Sequence, residues 1–145
     1  GCKVNFIQDN ESKSFKGVLR GLHYQLPPYT QAKLIRVIEG SVLDVAVDIR
    51  KSSPTFGQHV SLELTAQNKY QLFVPHGFAH GFIVLSNSAT FAYKVDNYYS
   101  PEHDRGIAFD DEQLKINWQL SAEELQLSDK DKTHPTLENT KDLFE

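Results

Sequence analysis

Two stretches concentrate side chains able to move protons or hold an anion. Arg20-Gly21-Leu22-His23-Tyr24-Gln25 sets a guanidinium close to an imidazole, and Lys33 and Arg36 follow on the next apolar-alternating run. Imidazole titrates near neutrality and serves as base and then as acid, whereas clustered cations suit an anionic ligand. Polar groups at this density inside a β-structure are costly unless a ligand or partner satisfies them, so the cluster is either exposed strand surface or an anion-binding pocket. Strict alternation puts Arg20 and His23 on opposite faces; a common pocket therefore requires a bulge, and Gly21 is its natural site. Tyr93, in Ala89-Thr90-Phe91-Ala92-Tyr93-Lys94-Val95, reads either as core packing or as a proton donor. Tyr98 and Tyr99 precede a proline as turn aromatics, and Leu127-Ser128-Asp129-Lys130-Asp131 is an exposed charged loop unless the C-terminal tail folds back over the barrel mouth.

A metal is the first alternative to test. The six histidines are His23, His59, His76, His80, His103 and His134. Pro75-x-Gly77-x-x-His80 resembles the second metal-binding half-motif of cupins. The first half-motif is missing, since His23-Tyr24-Gln25 offers one imidazole and no carboxylate before Glu39. Two histidines fall short of the three protein ligands that catalytic metal sites use. No metal is expected, and a metal-free polar pocket is preferred.

These residues must be held by strands. From Phe15 to Val95 short apolar-alternating runs recur between turn signals, the pattern of an all-β sandwich or barrel. In Val42 to Ile49, Leu43, Val45, Val47 and Ile49 share one face while Asp44, Ala46 and Asp48 share the other, and both faces are expected to be covered. Similar readings hold for Lys33 to Glu39, Gln58 to Leu64 (with Val60, Leu62 and Leu64 inward), Tyr70 to Val74, Phe82 to Leu85 and Thr90 to Val95, giving six or seven strands. After Ser100-Pro101 the chain becomes charged and loop-like, with one short helix expected from Ser121, capped with Glu124; this tail is expected to wrap the sandwich. The economical architecture is a double-stranded β-helix, the cupin-like jelly-roll barrel, with a short helical and loop tail.

Composition narrows the function classes. A chain of 145 residues fits a single domain, 1–145. With 15 Lys+Arg against 19 Asp+Glu it is not basic enough for a phosphate-backbone binder, so no nucleic acid is expected. One cysteine, Cys2, precludes an internal disulfide, and no apolar run suits a membrane span, so a cytoplasmic location is expected. The sequence contains no Met, so its start is read as cut; Asn5 stands where a myristoylation signal wants Ser or Thr.

Five blocks in one order make a specific resemblance: Arg20 to Gln25, Lys33 to Val37, Asp44 to Gly57, Pro75 to Phe82 and Tyr98 to His103. Over about Phe6 to Asp131 the chain resembles the dTDP-4-dehydrorhamnose 3,5-epimerase family. The resemblance implies a metal-free and cofactor-free jelly roll, normally a homodimer. It implies epimerisation at C3 and C5 of dTDP-4-dehydro-6-deoxy-D-glucose in dTDP-L-rhamnose biosynthesis, with this dTDP-linked 4-keto-6-deoxyhexose as small-molecule partner. By the same resemblance His23 matches the general base, Asp131 the carboxylate paired with it, Tyr93 the acid on the opposite face of the sugar, and Lys33 the cation near the carbonyl oxygen. Gln8, Asp9, Asn10, Arg20, His80, Asp104 and Lys130 match substrate-binding positions, and Tyr99 is expected against the sugar or thymidine. The chain departs from the family at its start, where a further segment carrying a nucleotide-binding Arg and Glu usually precedes. It also departs between Trp118 and Asp131, where the spacing is one residue longer than usual.

Two other readings stay open: a single-site epimerase of another 4-keto-sugar nucleotide, and a non-enzymatic jelly roll that binds a sugar nucleotide. An acid and a base retained together, His23 and Tyr93, favour an enzyme, because binding alone needs neither.

Overall fold

The central strand of the expected alternation, β4 (Ser41–Asp48), is buried along nearly its whole length, and the rest of the molecule is arranged to cover it. The computed structural model describes residues 3–145; Gly1 and Cys2, with the expectations attached to the terminal glycine and the single thiol, lie outside the described residues. Besides β4 the strands are β1 (Gln8–Phe15), β2 (Leu19–Gln25), β3 (Lys33–Glu39), β5 (His59–Thr65), β6 (Gln71–Val74), β7 (Phe78–Val84), β8 (Ser88–Val95) and β9 (Asp104–Gly106). They form a four-stranded sheet, β1-β8-β3-β6, and a five-stranded sheet, β5-β4-β7-β2-β9. The strand pairs are antiparallel. This is the double-sheet jelly roll expected from the sequence.

Each face of β4 meets a different apolar layer. Val42 and Ala46 pack with Ile35, Val37, Phe82 and Phe91 between the two sheets. Leu43, Val45, Val47 and Ile49 pack on the opposite face with Ile107, Leu114, Trp118 and Leu137 from the C-terminal part of the chain. Burying each such aliphatic side chain is worth ~1.5–3 kcal/mol, so the tail is a third layer of the core. The Trp118 indole N–H donates to the Phe109 carbonyl at 2.9 Å, and Gln126 exchanges backbone hydrogen bonds with Gly17 and Leu19 at 2.8 and 3.0 Å. The tail wraps the sandwich as anticipated. Between β3 and β4, Gly40 turns the chain at φ +82°; a Cβ there would meet the Ser88 carbonyl oxygen at 2.2 Å.

Two expectations are corrected, and a third is met as a single turn. There are nine strands among the described residues, not six or seven; the reading missed β1, because its face toward the sandwich interior carries Asn10, Ser12 and Ser14 instead of aliphatics, and the three-residue β9, which lies in the stretch read as loop. Val60 is 57% exposed, since β5 lies at the sheet edge. The helix from Ser121 is one 3₁₀ turn, Ala122–Glu124, in which the Ser121 N–H and hydroxyl both donate to the Glu124 carboxylate, at 3.0 and 2.9 Å.

Candidate active site

The bulge that a shared pocket required is present. β2 pairs Arg20 with Phe82 and His23 with His80, so β2 uses one residue more than β7 over the same stretch. Gly21 sits there at φ +138°, and a Cβ on it would lie 2.7 Å from Gly81 Cα. The extra residue turns both Arg20 and His23 into one hollow of about 290 Å³ between the sheets, shared with Ser12, Lys33, His80, Phe82, Phe91 and Tyr93. A second hollow of about 260 Å³ shares His23, Lys33 and Tyr93 and adds Gln8, Asn10, Gln31, Tyr99, Asp104 and Lys130 at the mouth. Together they make one cleft with a titratable base, an ammonium and a phenol on its walls.

The tail supplies the floor behind the imidazole. A 3₁₀ turn at Lys130–Lys132 buries Asp131, whose amide N–H donates to the Ser128 hydroxyl at 3.2 Å. His23 Nε2 lies 2.5 Å from Asp131 Oδ1, and the Gly21 amide donates to Oδ2 at 3.3 Å. Burial alone pushes the Asp131 carboxyl up, but hydrogen bonds from His23, His134 and the Gly21 amide, with the charge of His23, bring it down to about 2. It is therefore an anion that only accepts, so His23 donates from Nε2, and Nδ1 is the ring nitrogen that Asp131 does not engage. Tyr93, stacked on Phe91 with ring centroids 5.7 Å apart, has its phenol pushed up by burial and partly restrained by Arg20, so it carries its proton at neutral pH. Burial lowers the Lys33 ammonium, against the pull of Asp44 and Asp104.

His80 is buried and pairs through Nε2 with Asp44 Oδ1 at 2.7 Å; burial lowers its ring, against the pull of that carboxylate. Lys130 is ion-paired with Asp104, and the Tyr99 hydroxyl reaches the same carboxylate at 3.5 Å. Against the sequence reading, the cleft gathers His23, Lys33, Tyr93, Gln8, Asn10, Arg20, His80, Tyr99, Asp104 and Lys130, with Asp131 buried behind His23 rather than on a wall. Asp9 is not among them. It pairs with Lys94 at 2.7 Å over the outer face of the four-stranded sheet, because alternation along β1 turns it away from Asn10. A hollow of about 640 Å³ on that outer face, with Asp9, Glu11, Leu34, Arg36 and Ile38, is larger than either part of the cleft but contains neither His23 nor Lys33.

Two participants escaped the sequence reading. Asp44, partner of His80, was legible as a carboxylate in the middle of an apolar strand. His134 lies in an irregular tail with no pattern to flag it, yet its Nε2 is 3.0 Å from Asp131 Oδ1. The ligand atoms of His23, Asp131 and His134 lie within 4.8 Å of one another, a third neighbour that the metal argument had not counted. Because both imidazoles aim Nε2 at the same carboxylate oxygen, their arrangement is that of a hydrogen-bonded triad.

A family model described as dTDP-4-dehydrorhamnose 3,5-epimerase matches residues 1–139. A protein of that name from Shigella flexneri is 60% identical over 131 residues, 90% of this chain and 71% of its own; one from Escherichia coli K12 is 53% identical over 138 residues, 95% and 74% of the two chains. The crystal structure of a dTDP-6-deoxy-D-glucose-3,5-epimerase from Legionella pneumophila, in complex with dTDP-4-keto-L-rhamnose, superposes with a TM-score of 0.92 at 52% identity, covering 97% of this chain and 73% of that one.

Proposed function

Since the chain belongs to the dTDP-4-dehydrorhamnose 3,5-epimerase family, we propose that it inverts C3 and C5 of dTDP-4-dehydro-6-deoxy-D-glucose to give dTDP-4-dehydro-L-rhamnose, an isomerisation in dTDP-L-rhamnose biosynthesis. The observation that carries this reading is the single cleft in which His23, backed by Asp131, shares walls with Lys33 and Tyr93.

Both carbons are α to the 4-keto group, so each loses its hydrogen as a proton to leave an enolate. In this proposal His23 Nδ1 takes the proton, and Asp131 holds the ring in the required tautomer and stabilises the imidazolium. A carbon acid is far weaker than imidazolium, whose pKa is ~6.5, so the oxyanion needs a preorganised cation, supplied by Lys33. Tyr93 returns its phenolic proton to the same carbon from the other face, which inverts the centre; His23 then loses its proton to solvent and the phenolate regains one. The second carbon repeats the cycle. Arg20, with forked donors, suits the diphosphate, and Gln8, Asn10, His80, Tyr99, Asp104 and Lys130 complete substrate binding.

A homodimer belongs to the same proposal. Its support is the outer face of the four-stranded sheet, where Ile38 and Phe73 are 44% and 37% exposed. So does action in the cytoplasm; among the described residues no helix is long and apolar enough to cross a membrane.

Incubation with the 4-keto-sugar nucleotide in D2O tests the reading: deuterium is expected at both C3 and C5, with the L-rhamno product. Exchange at one carbon only would favour the single-site epimerase, and tight binding without exchange would favour the binding module.

A further inference from the structure

We infer that His134 is a positioning residue of the site, which shares Asp131 Oδ1 with His23 and so fixes the carboxylate that aims the base. This rests on the assignment of His23 as base. Three observations converge on it. His134 Nε2 is 3.0 Å from the oxygen that His23 contacts at 2.5 Å, and because Asp131 is an anion the His134 nitrogen donates as well. The His134 side chain is only 10% exposed, and its ring meets that of His23 edge to face, with centroids 5.6 Å apart and planes at 81°. Its seat is cut to fit: a Cβ on Gly106 would lie 2.4–2.5 Å from the His134 ring atoms. Only the missing side chain at Gly106, which pairs directly with His23 across β2 and β9, lets the ring lie there.

The consequence is a division of labour at one carboxylate. Gly21 N–H holds Oδ2, His134 holds Oδ1, and His23 uses what Oδ1 retains. An oxygen that accepts twice holds each donor less tightly, so His134 both anchors the carboxylate and moderates its grip on the His23 proton. Removing His134 would tighten that grip and loosen the aim.

The test combines His134→Ala, His134→Gln and Gly106→Ala. Gln keeps an N–H donor, whereas Ala at 106 evicts the ring while leaving His134 in the sequence. His134→Ala and Gly106→Ala are both expected to lower kcat about tenfold, less than the ~10²–10⁴-fold that the acid–base group itself contributes, with KM within about twofold of wild type. The acid limb of the kcat/KM profile should move to higher pH in both, and His134→Gln should recover most of kcat. The other charged and titratable groups facing His23 are Arg20, Tyr24, Lys33, His80, Tyr93, Tyr99, Asp104 and Lys130, and no variant alters them. A second readout needs no turnover: in the free protein, the proton NMR signal of the His23 Nε2–H···Asp131 bond should move downfield in His134→Ala and return in His134→Gln. An unmoved signal and an unmoved acid limb in folded His134→Ala would overturn the inference. Absence of C–H exchange in the wild-type protein would instead overturn the functional assignment.

Discussion

His23 Nε2 and Asp131 Oδ1 meet at 2.5 Å across 108 positions of sequence, and this contact ties the bulged strand β2 to the 3₁₀ turn at Lys130–Lys132 in the tail. An anionic carboxylate behind Nε2 leaves Nδ1 as the ring's acceptor and offsets the positive charge that forms when the ring takes a proton. On the proposed mechanism the pair therefore acts as one unit. His23→Ala should abolish solvent exchange at C3 and C5. Asp131→Asn, which keeps the shape but loses the charge, should lower kcat by about 10²–10⁴-fold, as read by the rate of deuterium incorporation at saturating substrate. Wild-type exchange in either variant would separate the pair from the chemistry.

Tyr93 makes a different prediction, because on the proposed mechanism it acts after the carbon–hydrogen bond is broken. Burial pushes its phenol further above the ordinary tyrosine value, so at neutral pH it holds the proton that, on this mechanism, inverts the centre. Tyr93→Phe should still let His23 remove and return a proton on one face, giving exchange with little net inversion. Proton NMR in D2O separates the two outcomes, and full inversion by Tyr93→Phe would remove Tyr93 from the mechanism.

The same Asp131 that serves the site should make the fold sensitive to acid. Its pKa is depressed from 3.8 to about 2 in the folded protein, so the unfolded chain binds a proton first as pH falls. The stabilisation is fully present above about pH 4 and is lost as pH drops through about 2, an effect of roughly 2 kcal/mol for a shift of this size. Urea unfolding between pH 6 and pH 2 should show this loss in the wild type and a smaller one in Asp131→Asn. Equal slopes for the two proteins would mean that other carboxylates carry the acid sensitivity.

How much of this was legible in the sequence depended on whether a pattern or a coincidence of chain paths created the feature. β4 was legible because its alternation is strict, and the doubly covered state of that strand followed from its lack of a solvent face. β1 was not, because its interior face is polar for the sake of the cleft, so its alternation carries no apolar signal. The need for a bulge at Gly21 was deducible from local geometry alone. Asp9 and Asn10 were inseparable as candidates until pairing with β8 sent one outward and the other into the cleft. His134 was invisible in principle: its role depends on an irregular tail folding under β9, and neither periodicity nor spacing encodes that path.

Gly21 offers the sharpest test of how the fold builds the site. It adopts φ +138°, which side-chain-bearing residues rarely take, and a Cβ there would press on backbone, 2.7 Å from Gly81 Cα and 3.1 Å from the His80 carbonyl oxygen. Neither neighbour can swing aside as a flexible side chain would. Gly21→Ala should therefore cost about 2–5 kcal/mol, the sum of a strained backbone and local overpacking, seen as a lower midpoint in urea. Its effect on activity should exceed its effect on stability. The bulge is what turns Arg20 and His23 into one cleft, and the Gly21 amide also holds Asp131 Oδ2. At a temperature where the variant is still fully folded, both exchange at C3 and C5 and affinity for dTDP should fall, the first through His23 and Asp131 and the second through Arg20. A folded Gly21→Ala protein with wild-type exchange would show that the strand can present His23 to the substrate without the bulge.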